Sequence, residues 1–338
     1  MAQPPQAGRW LWTCRAGFEG ELYQELAAQR AAPRLLGAAL VESDAVRGAA
    51  PAFARMGFLV ERLARTSDDA AAALPASGVV VQAWVPDTDE GNLRAKEARA
   101  WEEALVQQRR EAGAVDYATP WKAHEGGGFL GQVCLLAPGV AAVGAVRARE
   151  AFSLAPGGRA RMKRSGEAPS RAAMKLEEAL EWYGLAPGRG DECVDLGAAP
   201  GGWTRVVAQR GARVWAVDPA KLADDVRAQR GVRHVQASAF SYAPDEPVDW
   251  LFCDMAWRPL EVAQLLGKWA RNRWALHLVA NVKLPMKDRL PMVQRVRAVL
   301  EDAGWRHLRV RQLYHDRDEV TVSARSRCSS GAKSRCTR

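Results

Sequence analysis

From Glu192 onward the chain alternates short apolar runs with amphipathic stretches. Cys193–Val194, Arg213–Val217, His234–Gln236, Val248–Cys253, Ala275–Val282, Arg306–Gln312 and Glu319–Ala324 read as strands. Between them Thr204–Arg210, Lys221–Gln229, Leu260–Asn272 and Pro291–Ala303 read as helices. Such alternation predicts an α/β fold with a doubly wound, mostly parallel sheet. One helix precedes the first strand: Arg171–Tyr183 carries Ala172, Leu176, Leu180 and Tyr183 on an apolar stripe, leaves Lys175 off it, and has Ser170 as its N-cap.

The amino-terminal half is patterned differently. Trp10–Cys14 and the helical run Leu22–Ala31 predict a small α+β unit over residues 1–65, in which Ala39–Ser43 and Val60–Ala64 are strands or a helix end. A second such unit, 66–152, has the strand Val79–Val85 and a charged helix Asn92–Arg110 with Ala98, Trp101 and Leu105 on one stripe. A hairpin of Gly126–Ala137 and Val140–Val146 then turns at Pro138-Gly139. Residues 153–169, rich in glycine, proline and arginine, read as a basic linker; 170–325 is the α/β domain and 326–338 a disordered basic tail.

Composition narrows the function classes. A net charge of +9 over 338 residues points to a polyanionic partner. Only nine of the 48 basic residues are lysine, so lysine is the marked choice, and an amine can be tuned as a base where a guanidinium cannot. The six cysteines form no CxxC pair, so neither a disulfide framework nor a metal site is expected. No apolar run approaches the length of a membrane span and no coiled-coil repeat occurs; a cytoplasmic monomer that does not contact membrane is expected.

The chemistry concentrates at predicted strand ends. Asp195-Leu-Gly-Ala-Ala-Pro-Gly-Gly-Trp203 joins the first strand to its helix, and glycines there let main-chain N–H groups approach a nucleotide-like ligand. Asp218 ends the next strand, where an acid accepts ribose hydroxyls. Ser238, Asp254 and Lys283 end the following three. Two other classes remain open at this point: a nucleotide-dependent oxidoreductase, from the near-dinucleotide spacing of Gly197 and Gly202, and an RNA-binding assembly factor that binds cofactor without chemistry.

Lys175 in Ser-Arg-Ala-Ala-Met-Lys-Leu, Asp254 in Phe-Cys-Asp-Met, Lys283 in Asn-Val-Lys-Leu-Pro-Met-Lys and Glu319 in Asp-Arg-Asp-Glu-Val-Thr-Val stand in a Lys-Asp-Lys-Glu order. With the glycine turn and Arg311-Gln-Leu-Tyr-His-Asp-Arg-Asp-Glu319, this resembles the FtsJ-like ribose 2′-O-methyltransferases, and within them the bacterial branch that methylates a cytidine of 23S ribosomal RNA. The resemblance covers about residues 170–325. It implies a Rossmann-like methyltransferase domain behind a ferredoxin-like or THUMP-type RNA-binding region. It also implies S-adenosylmethionine bound by Ser170, Ala199, Pro200, Gly201, Gly202, Asp218, Ser238 and Asp254, and catalysis by Lys283 as general base with Asp254, Lys175 and Glu319. On this reading Lys283 is kept at least partly neutral. Two positions depart from the family: Ala199 stands where cysteine is usual and Ser238 where a carboxylate is.

Overall fold

The computed structural model describes residues 4–160 and 171–326. Residues 161–169 of the basic linker, Ser170 and the tail from 327 lie outside the described residues. The chain divides into two units, Met1–Arg161 and Met162–Arg338.

In the first unit β1 (Trp10–Thr13), α1 (Glu19–Ala28), β2 (Arg34–Gly37), β3 (Leu40–Ser43) and β4 (Met56–Leu59) build a sheet ordered β2-β3-β1-β4. A second sheet, ordered β5-β8-β7-β6, comes from β5 (Arg62–Ala64), α2 (Ser67–Ala71), β6 (Val79–Trp84), α3 (Asp89–Asn92), α4 (Ala95–Glu111), α5 (Pro120–Gly126), β7 (Phe129–Ala137) and β8 (Val140–Arg147). The Pro138-Gly139 hairpin forms as expected. Strands β2 and β4 are not legible in the sequence, because four residues are too few to show alternation against an alanine- and arginine-rich background. Helix α1 starts at Glu19 rather than Leu22, placing Leu22 and Leu26 on its buried side. Helix α5 has local signals that the pattern reading passed over: the Thr119 hydroxyl accepts from the Lys122 N–H, Pro120 opens the helix, and Gly127 ends it at φ 73°.

Residues 153–160 pack onto this unit instead of standing free as linker. Gln82 Nε2 donates to the Leu154 carbonyl at 2.7 Å, and Arg159 pairs with Asp87 at 3.1 Å. At Gly157 a Cβ would meet the Trp84 ring at 2.8 Å, so the chain there lies against the indole.

The second unit runs α6 (Arg171–Tyr183), β9 (Glu192–Leu196), α7 (Gly202–Gln209), β10 (Arg213–Val217), α8 (Asp224–Arg227), β11 (Val232–Val235), β12 (Val248–Cys253), α9 (Pro259–Arg271), β13 (Ala275–Lys283), α10 (Arg289–Ala303), β14 (Arg306–Arg311) and β15 (Glu319–Arg325). Its seven-stranded sheet is ordered β11-β10-β9-β12-β13-β15-β14. Helices α6 and α7 cover one face, Leu176, Leu180, Trp203 and Val207 packing on Cys193, Val214, Trp250 and Phe252. Helix α9 packs on β13 and against α10. The predicted helix 221–229 shortens to the single turn of α8, since Asp224 and Asp225 open it and leave one buried apolar residue, Val226, to hold it.

Two features of this sheet place the site. The strand order reverses between β9 and β12, and ligands in open α/β sheets bind beyond the strand ends at such a switch point. Strand β15 is antiparallel to both neighbours, so its first residue arrives at the edge where β13 ends: Lys283 is the register partner of Glu319.

Candidate active site

The turn after β9 is shaped by two glycines that nothing larger could replace. Gly197 (φ 74°) lies so close to the segment after β12 that a Cβ would meet Met255 Cγ at 2.5 Å, and at Gly201 (φ 114°) a Cβ would meet Val226 at 2.8 Å. The Ala199-Pro200 bond is cis. Asp218, directly after β10, fixes the turn from outside: its carboxylate accepts from Ala199 N at 3.1 Å and from Ala220 N at 2.8 Å. Ser238 lies three residues beyond β11, exposed, its hydroxyl accepting from Phe240 N at 3.3 Å. Gly202 begins α7.

Asp195 sits inside β9 rather than at its end and is 1% exposed. Burial pushes its carboxyl up to about 7, opposed by the Thr204 hydroxyl, which donates to Oδ2 at 2.6 Å.

Beside the turn, four charged side chains from four elements converge. Lys175 of α6, buried at the border of its apolar stripe, pairs with Glu319 at 2.5 Å and with Asp254 at 3.7 Å. Lys283, at the end of β13, pairs with the other Glu319 oxygen and lies 4.0 Å from Asp254. The Lys283 side chain is 36% exposed, against 18% for Asp254, 8% for Lys175 and 4% for Glu319, so Lys283 is the member that a substrate can reach. The cluster alternates sign, which is how buried charge is kept.

Ionisation follows that pattern. Burial pushes Asp254 above the usual carboxylate value, with Lys175 opposing and Glu319 reinforcing. Burial also acts upward on Glu319, but the hydrogen bonds and charges of the two lysines overcome it and bring the carboxyl below its ordinary value. For Lys283, burial pulls the amine down and Glu319, then Asp254, outweigh it: the amine lies above its ordinary value. This corrects the expectation of a partly neutral Lys283. The sequence offers two lysines and two carboxylates but not their distances, and the contact with Glu319 decides the sign.

The sequence reading placed Lys175, Asp254, Lys283 and Glu319 correctly as one cluster. It passed over a buried polar layer beneath them: Asn281 and Thr321, each 0% exposed, with Asp316 at 1%. Thr321 Oγ1 stands 2.9 Å from Asn281 Oδ1 and 2.9 Å from Asp316 Oδ2. It also passed over Glu178 on α6, which accepts from Tyr314 N at 2.7 Å and His315 N at 2.9 Å and bonds His315 Nδ1 at 2.7 Å, anchoring the loop that leads into Glu319. Two-residue periodicity in Asn281-Val-Lys283 and Glu319-Val-Thr321 was the available signal.

Residues 168–283 match the model of the FtsJ-like methyltransferase family. The chain is 36% identical to the ribosomal RNA large subunit methyltransferase M of Alkalilimnicola ehrlichii over 94% of each chain. It is 34% identical to that of Halorhodospira halophila, over 95% of this chain and 97% of the relative. The chain belongs to the ribosomal RNA large subunit methyltransferase M family. It is therefore a methyltransferase of Rossmann-like α/β fold, and S-adenosylmethionine is its methyl donor. The turn suits that cofactor: two left-handed glycines let Met255 and Val226 pack directly against the backbone of the β9–α7 junction, and buried Asp254 Oδ1 has no hydrogen-bond partner among the described residues. An oxidoreductase would have no use for the charge cluster. Among the described residues, no helix is long and apolar enough to cross a membrane.

Proposed function

We propose that this protein methylates the ribose 2′-hydroxyl of a cytidine in 23S ribosomal RNA, acting as a cytoplasmic monomer. The observation that carries the reading is the Lys175–Asp254–Lys283–Glu319 cluster, set at the carboxyl edge beside the glycine turn. In this reading Ala199, Pro200, Gly201, Gly202, Asp218, Ser238 and Asp254 hold S-adenosylmethionine. Asp218 keeps lone pairs for ribose hydroxyls beyond those used by Ala199 and Ala220, and Ser238 offers a neutral hydroxyl at the adenine end. The bound cofactor supplies an electrophilic sulfonium methyl.

A sugar hydroxyl is a weak nucleophile, so its proton must leave as the methyl arrives. Lys283 takes that proton. It reaches the site as an ammonium held by Glu319, and it must first release a proton to solvent. Covering its exposed third with RNA removes water that stabilises the charged form and brings the amine toward neutrality. Asp254 and Glu319 orient the amine, and Lys175, which pairs with both, prevents the two carboxylates from repelling each other apart.

The first unit, read as carrying a THUMP-type module, positions the RNA. Trp121 supports this: it is 56% exposed, stacks on His124 at 5.5 Å and neighbours Lys122, a combination on which nucleobases stack. Mapping of 2′-O-methyl groups in 23S ribosomal RNA from cells with and without the protein tests the function. One cytidine that loses its methyl in the deletion strain is expected, and an unchanged map overturns the reading.

A further inference from the structure

Strands β13 and β15 pair so that Lys283 faces Glu319 and, two residues deeper on the same face, Asn281 faces Thr321. The upper pair belongs to the charge cluster. The lower pair is polar, wholly buried and uncharged, and its neighbours along the two strands include Leu278, Val279, Ala280, Val282, Val320 and Val322. A buried amide in such surroundings costs stability unless both of its ends are bonded.

One end is bonded. Asn281 Oδ1 accepts from the Thr321 hydroxyl at 2.9 Å, and the same hydroxyl oxygen, its one proton used, is held 2.9 Å from Asp316 Oδ2 by the proton that burial keeps on that carboxyl, raised well above its ordinary value. The other end, Nδ2, is buried without a hydrogen-bond partner among the described residues, and so is Asp254 Oδ1. One of these atoms is a donor and the other an acceptor, and the strand register brings them to the same level: Cys253 of β12 is the partner of Ala280 of β13, so Asp254 and Asn281 follow side by side, and the Asn281 amide helps to hold the Asp254 carboxyl down against burial. An ionised carboxylate only accepts, so the NH₂ end of the amide must point at it.

We propose that Asn281 is a positioning residue of the methyl-transfer site: its amide, fixed by Thr321, donates to Asp254 Oδ1 and sets the carboxylate that both lysines share. The proposal rests on the methyltransferase reading given above. Without the amide, Asp254 rotates toward whichever lysine is nearer, and Lys283 loses the second acceptor that aims it. Thr321 acts one step further back, by preventing the amide from turning its oxygen toward the carboxylate.

The experiment is single-turnover methylation of 23S ribosomal RNA transcript by full-length protein with radiolabelled S-adenosylmethionine, alongside calorimetric cofactor affinity and RNA affinity. Asn281→Leu, close in shape but without the amide, is expected to slow methylation by about 10²-fold, the cost of a small misplacement at a reacting centre, with both affinities within about threefold of wild type. Thr321→Val is expected to slow it by about tenfold, and Thr321→Ser to restore it. The rate–pH profile separates positioning from mere packing. Asp254 faces Lys175 of α6, Glu319 of β15, Lys283 of β13 and Asp195 of β9, and with the amide gone its already raised carboxyl rises further. The acid limb of Asn281→Leu therefore moves to higher pH. Wild-type rates and pH limb in Asn281→Leu overturn the proposal, as does Thr321→Ser behaving like Thr321→Val. If Asn281→Leu fails to bind cofactor, the pair of Thr321→Val, which keeps the shape, and Thr321→Ser, which keeps the hydroxyl, decides alone. Failure of the wild-type protein to methylate the transcript would instead overturn the functional reading.

Discussion

Both units bury polar side chains, and they do so to opposite ends. In the first, Gln82, Trp84 and Gln132 form a closed chain: Gln82 Nε2 donates to the Leu154 carbonyl, Gln132 Nε2 to Gln82 Oε1, and Trp84 Nε1 to Gln132 Oε1, all within 2.8 Å. Arg109 and Asp116 likewise form a two-pronged ion pair at 2.6 and 2.9 Å. Every partner is a fixed protein group, and the result is rigidity. In the second unit a set of charged side chains gathers at one edge of the sheet above the neutral Asn281 and Thr321, and the acceptor Asp254 Oδ1 and the donor Asn281 Nδ2 are without hydrogen-bond partners among the described residues. Burial alone therefore does not mark a site; a cluster of buried charges of both signs converging at strand ends does.

Substitution should separate the two kinds of polar burial. The largest effect belongs to Lys283. Lys283→Arg keeps the positive charge but cannot act as a base, so single-turnover methylation should fall by about 10²-fold or more with cofactor and RNA affinities little changed. A near-normal rate would reduce Lys283 to a charge-neutralising residue and make the cluster structural, like its counterparts in the first unit.

Asp218→Ala should weaken S-adenosylmethionine binding by about 1.5–3 kcal/mol, the scale of hydrogen bonds to a charged group, with the Ala199 and Ala220 N–H groups released at the same time. Calorimetry measures this, and an unchanged affinity removes Asp218 from the site. The closed chain supplies the counter-case. Gln132→Leu strands Trp84 Nε1 and Gln82 Oε1 in the core and should cost about 2 kcal/mol in denaturant unfolding of the first unit. Cofactor affinity should not change; if it falls, the satisfied network also serves the site.

The smallest effect is in pH. Asp195, raised to about 7 by burial, binds a proton in the folded state that its unfolded form would release. Stability from this group is present at low pH and is lost as pH rises through about 7, by about 1 kcal/mol between pH 6 and 7.5. Asp195→Asn should abolish that slope while leaving the acid side unchanged. A wild-type stability that is flat across this window would place Asp195 among ordinary ionised carboxylates.

Much of the second unit was readable from one dimension. Strand and helix spacing determined its class, the Asp195–Trp203 turn pointed to the strand-end junction beside the cluster, and the order Lys175, Asp254, Lys283, Glu319 pointed to four side chains that the structure brings together. The class and the turn are properties of local geometry, set by backbone sterics and by side-chain period, and a sequence carries them directly; the four charged residues were legible through their resemblance to the FtsJ-like motifs. Strands β2 and β4 were not readable, because short edges take their conformation from the neighbours they pair with. Nor was the packing of residues 153–160 on Trp84 and Arg55, where glycine content reads as freedom until a partner surface arrives.

The tertiary structure alone decided the electrostatics. Antiparallel insertion of β15 beside β13 brings Glu319 against Lys283, and that contact, absent from any linear spacing, turns an amine expected to be depressed into one that is raised. The same pairing puts Asn281 and Thr321 beneath the charges. The interaction of charged and polar groups depends on separation and on excluded water, and both are set only when strands distant in sequence close into one sheet.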